Sequence, residues 1–376
     1  MLGIAVSYLA ESADYTAGPE EAHNRMQATN WNRKALLGSF DKPLRPLFPL
    51  LVLLSDLVLL GSGAAIVLLA SGVALKLVGT VLVTAGIVRL FMVGHDACHG
   101  SFSGSKKLNA ICGRIAFLPS MTAFSLWQVG HNTAHHGFNN LKGRDQVWAP
   151  LSKVEFDALP RYRQLLERLY RSGFGWGAYY LIEMWWKKLY FASHKEIGSS
   201  RRKYKLDSLL VTAGALLWIG VVALVARSTG QPFLLLAMLA VVVPFLLWNG
   251  IMGLVVYLHH TSPKIAWFQN RQEWQRHRAY LTSTARVTFP FRIDRLMHGI
   301  MEHNAHHLNP RIPMFSLREA QQLLQERFPD LCDYRLDRRT YMDDVRRCKL
   351  YDFANHAWLD FGGQVTARVP MATAAT

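Results

Sequence analysis

The sequence predicts an all-α integral membrane protein. Three observations carry that prediction: four apolar stretches long enough to cross a bilayer, cations segregated to one side of them, and histidines gathered at that same side. The 376 residues are 51% hydrophobic and only 18% charged, with a mean hydropathy of +0.09. That balance is too apolar for an ordinary soluble two-domain enzyme. The formal net charge is +16, from 42 Lys+Arg against 26 Asp+Glu. Apolar and basic blocks alternate along the chain, so the near-zero mean hides segregation.

Residues 1–30 open the chain with Glu11, Asp14, Glu20 and Glu21 and no basic run before their short apolar stretch. They are expected to be a partly disordered cytoplasmic segment rather than a signal or transit peptide. A membrane domain is expected over 31–363. A helix needs roughly 20 apolar residues to cross a hydrocarbon core of about 30 Å, and the stretches at about 47–70, 77–95, 207–227 and 232–258 satisfy this. The first two are joined by Ser71 to Lys76, the last two by Ser228 to Gln231, with Pro232 opening the return helix. Such short connections make each pair an antiparallel hairpin.

Short loops rich in Lys and Arg stay in the cytoplasm. The hairpin loops offer only Lys76 and Arg227, whereas Arg25, Arg33, Lys34, Lys42 and Arg45 precede the first span and Arg201, Arg202, Lys203 and Lys205 precede the third. Both termini and the segments 96–206 and 259–376 are therefore expected on the cytoplasmic side, with a bacterial inner membrane as the setting. Two shorter apolar stretches, 108–127 and 174–193, mix aromatics with cations, as in Trp185, Trp186, Lys187 and Lys188. That mixture suits the headgroup boundary and predicts interfacial helices; a further pair of spans is the competing reading. The tail 364–376 is expected to be disordered. Asp56 and Arg89 fall inside the first and second spans at equal depth on antiparallel helices, which invites an ion pair. Arg89 reaching out to the headgroups is the alternative.

Four cysteines without a Cys-x2-Cys spacing exclude a disulfide framework and a thiolate metal site. A nucleic-acid-binding module is excluded as well, because the cations follow the spans.

The unusual item is histidine, 15 in all. His95 and His99 stand four apart where the second span meets the cytoplasm. In a helix such residues share a face with Cβ atoms about 5–6 Å apart, so both imidazoles can reach one ion. His131 and His135 repeat the spacing, with His136 pointing elsewhere, and His303, His306 and His307 offer i, i+3 and i, i+4 pairs. A His-x2–3-His-His string is expected by chance on the order of 0.05 times in a chain of this composition, yet two occur. Isolated histidines are ordinarily solvated or satisfied side chains, but three clusters on one side of the membrane point to metal. Catalytic zinc takes about three protein ligands, so eight imidazoles are too many for one zinc. Imidazole suits iron, copper, nickel and zinc alike, so nitrogen donors alone do not choose the metal; a di-iron centre is the economical solution, with about four or five nitrogens for each ion and open positions left over.

The three boxes, His-x3-His, His-x3-His-His and His-x2-His-His, with a membrane hairpin before the third, resemble those of the membrane fatty acid desaturases. The resemblance covers roughly residues 30–330. It is closest to bacterial and plant-type omega-6 (delta-12) enzymes, supported by the strings from His95 to Phe102, Arg144 to Pro150 and Tyr257 to Pro263. Plant enzymes of this type commonly have two residues inside the second box where this chain has three, and often Gln where it has His259. The resemblance implies oxygen-dependent insertion of a cis double bond into a fatty acyl chain of a membrane lipid. It implies two Fe2+ ions with dioxygen as co-substrate, and His95, His99, His131, His135, His136, His303, His306 and His307 as ligands, with His260 as a ninth. Asp96, Asn132, Asp145, Glu302 and Asn304 are candidates to orient those rings. No His-Pro-Gly-Gly haem string occurs, so electrons are expected from a separate, ferredoxin-type protein. A di-iron hydroxylase or ketolase would share the boxes. A metal transporter or sensor is the non-enzymatic alternative, and it would place its ionisable ligands near mid-membrane.

Overall fold

A computed structural model describes residues 38–40, 47–145, 147–190 and 201–371. The segment 1–30, the cations Arg25, Arg33, Lys34, Lys42 and Arg45, and the last five residues of the tail lie outside them. Four of the described helices are long and apolar enough to cross a membrane: α1 (Leu47–Leu69), α2 (Val73–His99), α7 (Arg201–Thr229) and α8 (Phe233–His260). Among the shorter elements between and after them are α3 (Lys106–Phe117), α4 (124–138), α5 (Arg161–Tyr170), α6 (176–190), α9 (His303–Leu308), α10 (Leu317–Arg327) and α11 (Arg338–Arg347).

α1 packs along α2 because glycines let the two backbones meet. A Cβ at Gly63 would lie 2.7 Å from the Val83 amide nitrogen, and one at Gly79 would lie 2.8 Å from the Gly63 carbonyl oxygen. Small residues at a helix crossing buy van der Waals contact that lipid cannot supply. α2 is the central helix, with 67% of its most apolar window buried inside the protein against 17% for α7. Leu216, Leu217 and Leu224 of α7 and Leu51, Leu54 and Val58 of α1 remain exposed, the face expected toward lipid tails. Thr80 ties α2 to α8 by donating to the Leu239 carbonyl at 2.9 Å. Around that carbonyl α8 loosens into a π-helical turn, Met238–Val242, just ahead of Pro244, where the missing proline N–H and its ring disrupt an α-helical ladder.

Three expectations are corrected. Lys76 is not a loop cation: α2 begins at Val73, and the buried Lys76 ammonium donates to the Val67 carbonyl at 2.6 Å. The stretch 108–127 is not one helix, since α3 ends at Phe117 and a turn precedes α4. The domain is predominantly helical, with five short strands beside the helices among the described residues. Arg286–Thr288 (β1) pairs in parallel with Asp333–Arg335 (β2), and Leu350–Asp352 (β3), Ala357–Leu359 (β4) and Val365–Arg368 (β5) form an antiparallel sheet. β5 falls in the tail read as disordered. It is held by Thr366 donating to the Arg347 and Trp358 carbonyls, long-range bonds that no local pattern announces.

Asp56 and Arg89 do pair, Nε to Oδ1 at 2.6 Å. The second carboxylate oxygen takes His298 Nε2 at 2.6 Å, a partner the sequence does not advertise.

Candidate metal centre

The candidate histidines ride on two short helical segments and on the ends of two spans. His95 and His99 end α2, where Gly100 adopts φ 75° and closes the helix. His131, His135 and His136 lie on α4, which is π-helical over Gln128–His135. His260 is the last residue of α8, and His303, His306 and His307 occupy α9.

Their side chains converge into two groups whose ligand atoms each lie within 4.8 Å of one another: His95, His99, His131, His136 and His306, and His135, His260, His303 and His307. All nine histidines implied by the sequence are in one group or the other. His259 is in neither; it stacks on the His303 ring at 3.7 Å between centroids. His298 is also in neither, being engaged by Asp56.

The split of the second box corrects the sequence reading. An α-helix would place His131 and His135 together with His136 turned away. The π-helix instead puts His131 beside His136, with Nε2 atoms 3.0 Å apart, and sends His135 to the other group. α9 remains α-helical, so His303 and His307, four apart, share the second group while His306 crosses to the first.

Within the groups, His131 Nε2 lies 3.0 Å from His95 Nε2 and His260 Nε2 lies 3.2 Å from His303 Nε2. Two nitrogens bound at right angles to one ion, each about 2.1 Å from it, would be about 3.0 Å apart. Buried imidazoles without partners complete the fit. His99 Nε2 and both ring nitrogens of His306 and His307 have no hydrogen-bond partner among the described residues, a costly arrangement unless an ion takes one nitrogen from each ring. Burial, reinforced by the neighbouring imidazoles, pushes His131, His136, His303, His306 and His307 well below the usual histidine range. The rings are thus neutral at pH 7, the form that binds a metal.

The groups that orient these rings are fewer than the sequence suggests. His135 Nδ1 donates to Asp145 Oδ1 at 3.0 Å, and the same carboxylate accepts the Asn140 and Val147 amides at 2.8 and 3.0 Å. Burial pushes the Asp145 carboxyl up, but His135, His260 and the Asn140 amide together outweigh it and hold the carboxyl below its usual range. Asp96 sits 3.6 Å from His95 Nδ1 and accepts the Met314 amide at 2.8 Å. The other three candidates face elsewhere. Asn132 donates to the Cys98 carbonyl, Glu302 pairs with Arg286 at 2.6 Å, and Asn304 is held between Thr284 and Gln321.

Asn140 is the residue that sequence reasoning missed. Its Oδ1 accepts from His260 Nδ1 at 2.9 Å while its amide nitrogen donates to the Ala266 carbonyl. Its backbone has φ 58°, a conformation asparagine tolerates better than most residues, and the Asn139-Asn140 pair after the second box was the available signal.

The family profile described as fatty acid desaturase matches residues 71–338. The sn-1 oleoyl-lipid 12-desaturase of Picosynechococcus sp. is 28% identical over 278 residues, 72% of this chain and 75% of that protein. The chloroplastic omega-6 fatty acid desaturase of Glycine max is 30% identical over 240 residues, 64% of this chain and 54% of that protein. The sn-1 acyl-lipid omega-3 desaturase (ferredoxin) of Synechocystis sp. is 30% identical over 238 residues, 63% of each. The match thus spans about half the length of the chloroplast relative and three quarters of the Picosynechococcus one.

Proposed function

The chain belongs to the fatty acid desaturase family, and from that premise we propose that it introduces a cis double bond into a fatty acyl chain of a membrane lipid. The observation that carries this is the sorting of nine buried or half-buried imidazoles into one group of five and one of four. Two Fe2+ ions held there would, with dioxygen, two electrons and two protons, supply the oxidising power to take one hydrogen from each of two adjacent methylenes, leaving an alkene and two waters. An unactivated methylene has no acidic proton, so side-chain acid–base chemistry cannot replace that power.

The protein's own part is to hold and orient. His95, His99, His131, His136 and His306 serve one ion; His135, His260, His303 and His307 serve the other. The hydrogen bonds from His135 to Asp145 and from His260 to Asn140 place the proton on Nδ1 and turn Nε2 toward the centre, the outer-shell arrangement that fixes tautomer and ring orientation. Neutral ligands add no negative charge of their own.

The flanking cations support a cytoplasmic location for both termini and for the histidines, in a bacterial inner membrane. The name of the Synechocystis relative supports a separate ferredoxin-type electron donor. Expression in a host lacking polyunsaturated lipids, followed by gas chromatography with mass spectrometry, tests the reading. An acyl product lighter by two hydrogens supports it, and its double bond can be located. A product heavier by one oxygen identifies a hydroxylase instead, and one that gains an oxygen and loses two hydrogens a ketolase.

A further inference from the structure

Away from the histidines, the segments between the second and third spans border a half-open cavity of about 140 Å3 with a mixed polar and apolar lining. Arg163, Glu167, Arg171, Glu183 and Lys188 line it together with Trp148. The ion pairs of its wall pass Arg171 by: Glu183 takes Arg163 at 2.8 Å and Lys187 at 2.6 Å, and Glu167 faces Arg163 at 3.5 Å. Arg171 is 3% exposed. Its Nη2 donates to the carbonyls of Trp148 at 3.3 Å and Ala149 at 3.2 Å, and its guanidinium lies 5.8 Å from the Trp148 ring centre. Nη1 has no hydrogen-bond partner among the described residues.

Carbonyl oxygens satisfy donors without neutralising a charge, and although the Glu167 carboxylate on the same wall feels the Arg171 charge, it makes no direct ion pair with that guanidinium, whose burial is expensive without one. The local field is positive elsewhere too. Lys349 donates to the Arg171 carbonyl, and burial, with the Arg171 charge second, holds its ammonium down to about 8.

We propose that this cavity takes the phosphate of a lipid headgroup, with Arg171 as its principal ligand. A guanidinium presents paired N–H donors that match phosphate oxygens, and the space admits a phosphate but not a nucleotide. The lipid source follows from the wall. Lys188 belongs to α6, whose Trp185, Trp186 and Lys187 have the composition of the headgroup boundary. Trp148, on the cavity wall, ties it to the span that ends in His260: its indole donates to the Gly253 carbonyl of α8, and it stands three residues beyond Asp145. The inference goes beyond the desaturation reading, because binding requires neither iron nor turnover.

The test is the thermal midpoint of the purified full chain in neutral detergent, titrated with phosphatidylglycerol, with a neutral galactolipid and with inorganic phosphate. Phosphatidylglycerol is expected to raise the midpoint saturably by a few degrees, the galactolipid is not, and inorganic phosphate is expected to need far higher concentration. Arg171→Gln should weaken the apparent affinity for phosphatidylglycerol about tenfold or more. Ala149→Leu, which fills the cavity while keeping every backbone bond to Arg171, should do the same and serves if the arginine variant does not fold. Undiminished phosphatidylglycerol binding by Ala149→Leu, or equal stabilisation by the galactolipid, would overturn the site. Saturation by inorganic phosphate at the lipid's own concentration would overturn the lipid assignment.

Discussion

His131 and His136, five residues apart, bring their Nε2 atoms to 3.0 Å because the helix between them is π-helical, the His136 amide donating to the His131 carbonyl. In an α-helix, five residues at about 100° each would leave the two rings about 140° apart. The third box reaches the same division by the opposite route: two intervening residues on an α-helix leave first and last histidines together and send the middle one across. One extra residue in the second box and one wider turn cancel.

That cancellation predicts an unusual tolerance. Deleting the exposed Thr133 should turn the π-helix into an α-helix, with His131 and the former His136 now four apart and still sharing an ion. The deletion variant is expected to keep most of its iron and activity, whereas inserting one alanine after Thr133 should remove both. Iron content and lipid product analysis check the pair, and loss of iron on deletion would show that the wide turn is itself required.

His260 and His259 make a second contrast. His260 lies in the four-membered group, oriented by Asn140, whereas His259 stacks flat on His303 and joins neither group. His260→Ala should lose iron and turnover while His259→Gln keeps most of each. A reversed result would exchange their roles.

Asp56 binds Arg89 and His298 with one oxygen each, both at 2.6 Å. Asp56→Ala should cost about 3 kcal/mol or more, because it strands a guanidinium between the first two spans. Combining it with Arg89→Leu should recover part of that loss. Thermal unfolding in detergent reads both, and equal loss in the single and double variants would mean that no compensation exists.

Asp344, on α11, carries a pH signature. Burial, with Asp343 beside it, raises its carboxyl to about 7 from an ordinary 3.8. The sign follows: the folded chain resists ionisation, so this residue contributes no penalty below pH 4, and the penalty grows between pH 4 and 7 and is constant above. At about 1.4 kcal/mol per pH unit the ceiling is about 4 kcal/mol. Asp344→Asn should therefore melt at the wild-type temperature near pH 4 and several degrees higher at pH 8. A difference independent of pH would contradict it.

The legible parts of this molecule are those whose physics is local in sequence. Twenty apolar residues announce α1 and α7 whatever surrounds them, and Asp56 and Arg89 could be matched by depth because both ride on regular helices. The nine histidines could be collected from box spacing together with family resemblance. Their division into two groups could not, since it depends on a π-helical turn whose cause is not in the spacing of His131, His135 and His136. Asn140 and His298 were hidden for a different reason. Each acts across more than a hundred residues, on His260 and Asp56 respectively. β5 is not legible in the sequence because small residues such as Thr366 and Ala367 form a strand only when a partner is already there.

The central claim is that the two groups of imidazoles each hold one iron. Anaerobic loading of the purified chain with ferrous iron, followed by elemental analysis of metal per chain, tests it most directly. The structure predicts two irons per chain, falling to about one or fewer when His306 or His307 is changed to alanine. A wild-type stoichiometry of one, unaltered by either change, would contradict it.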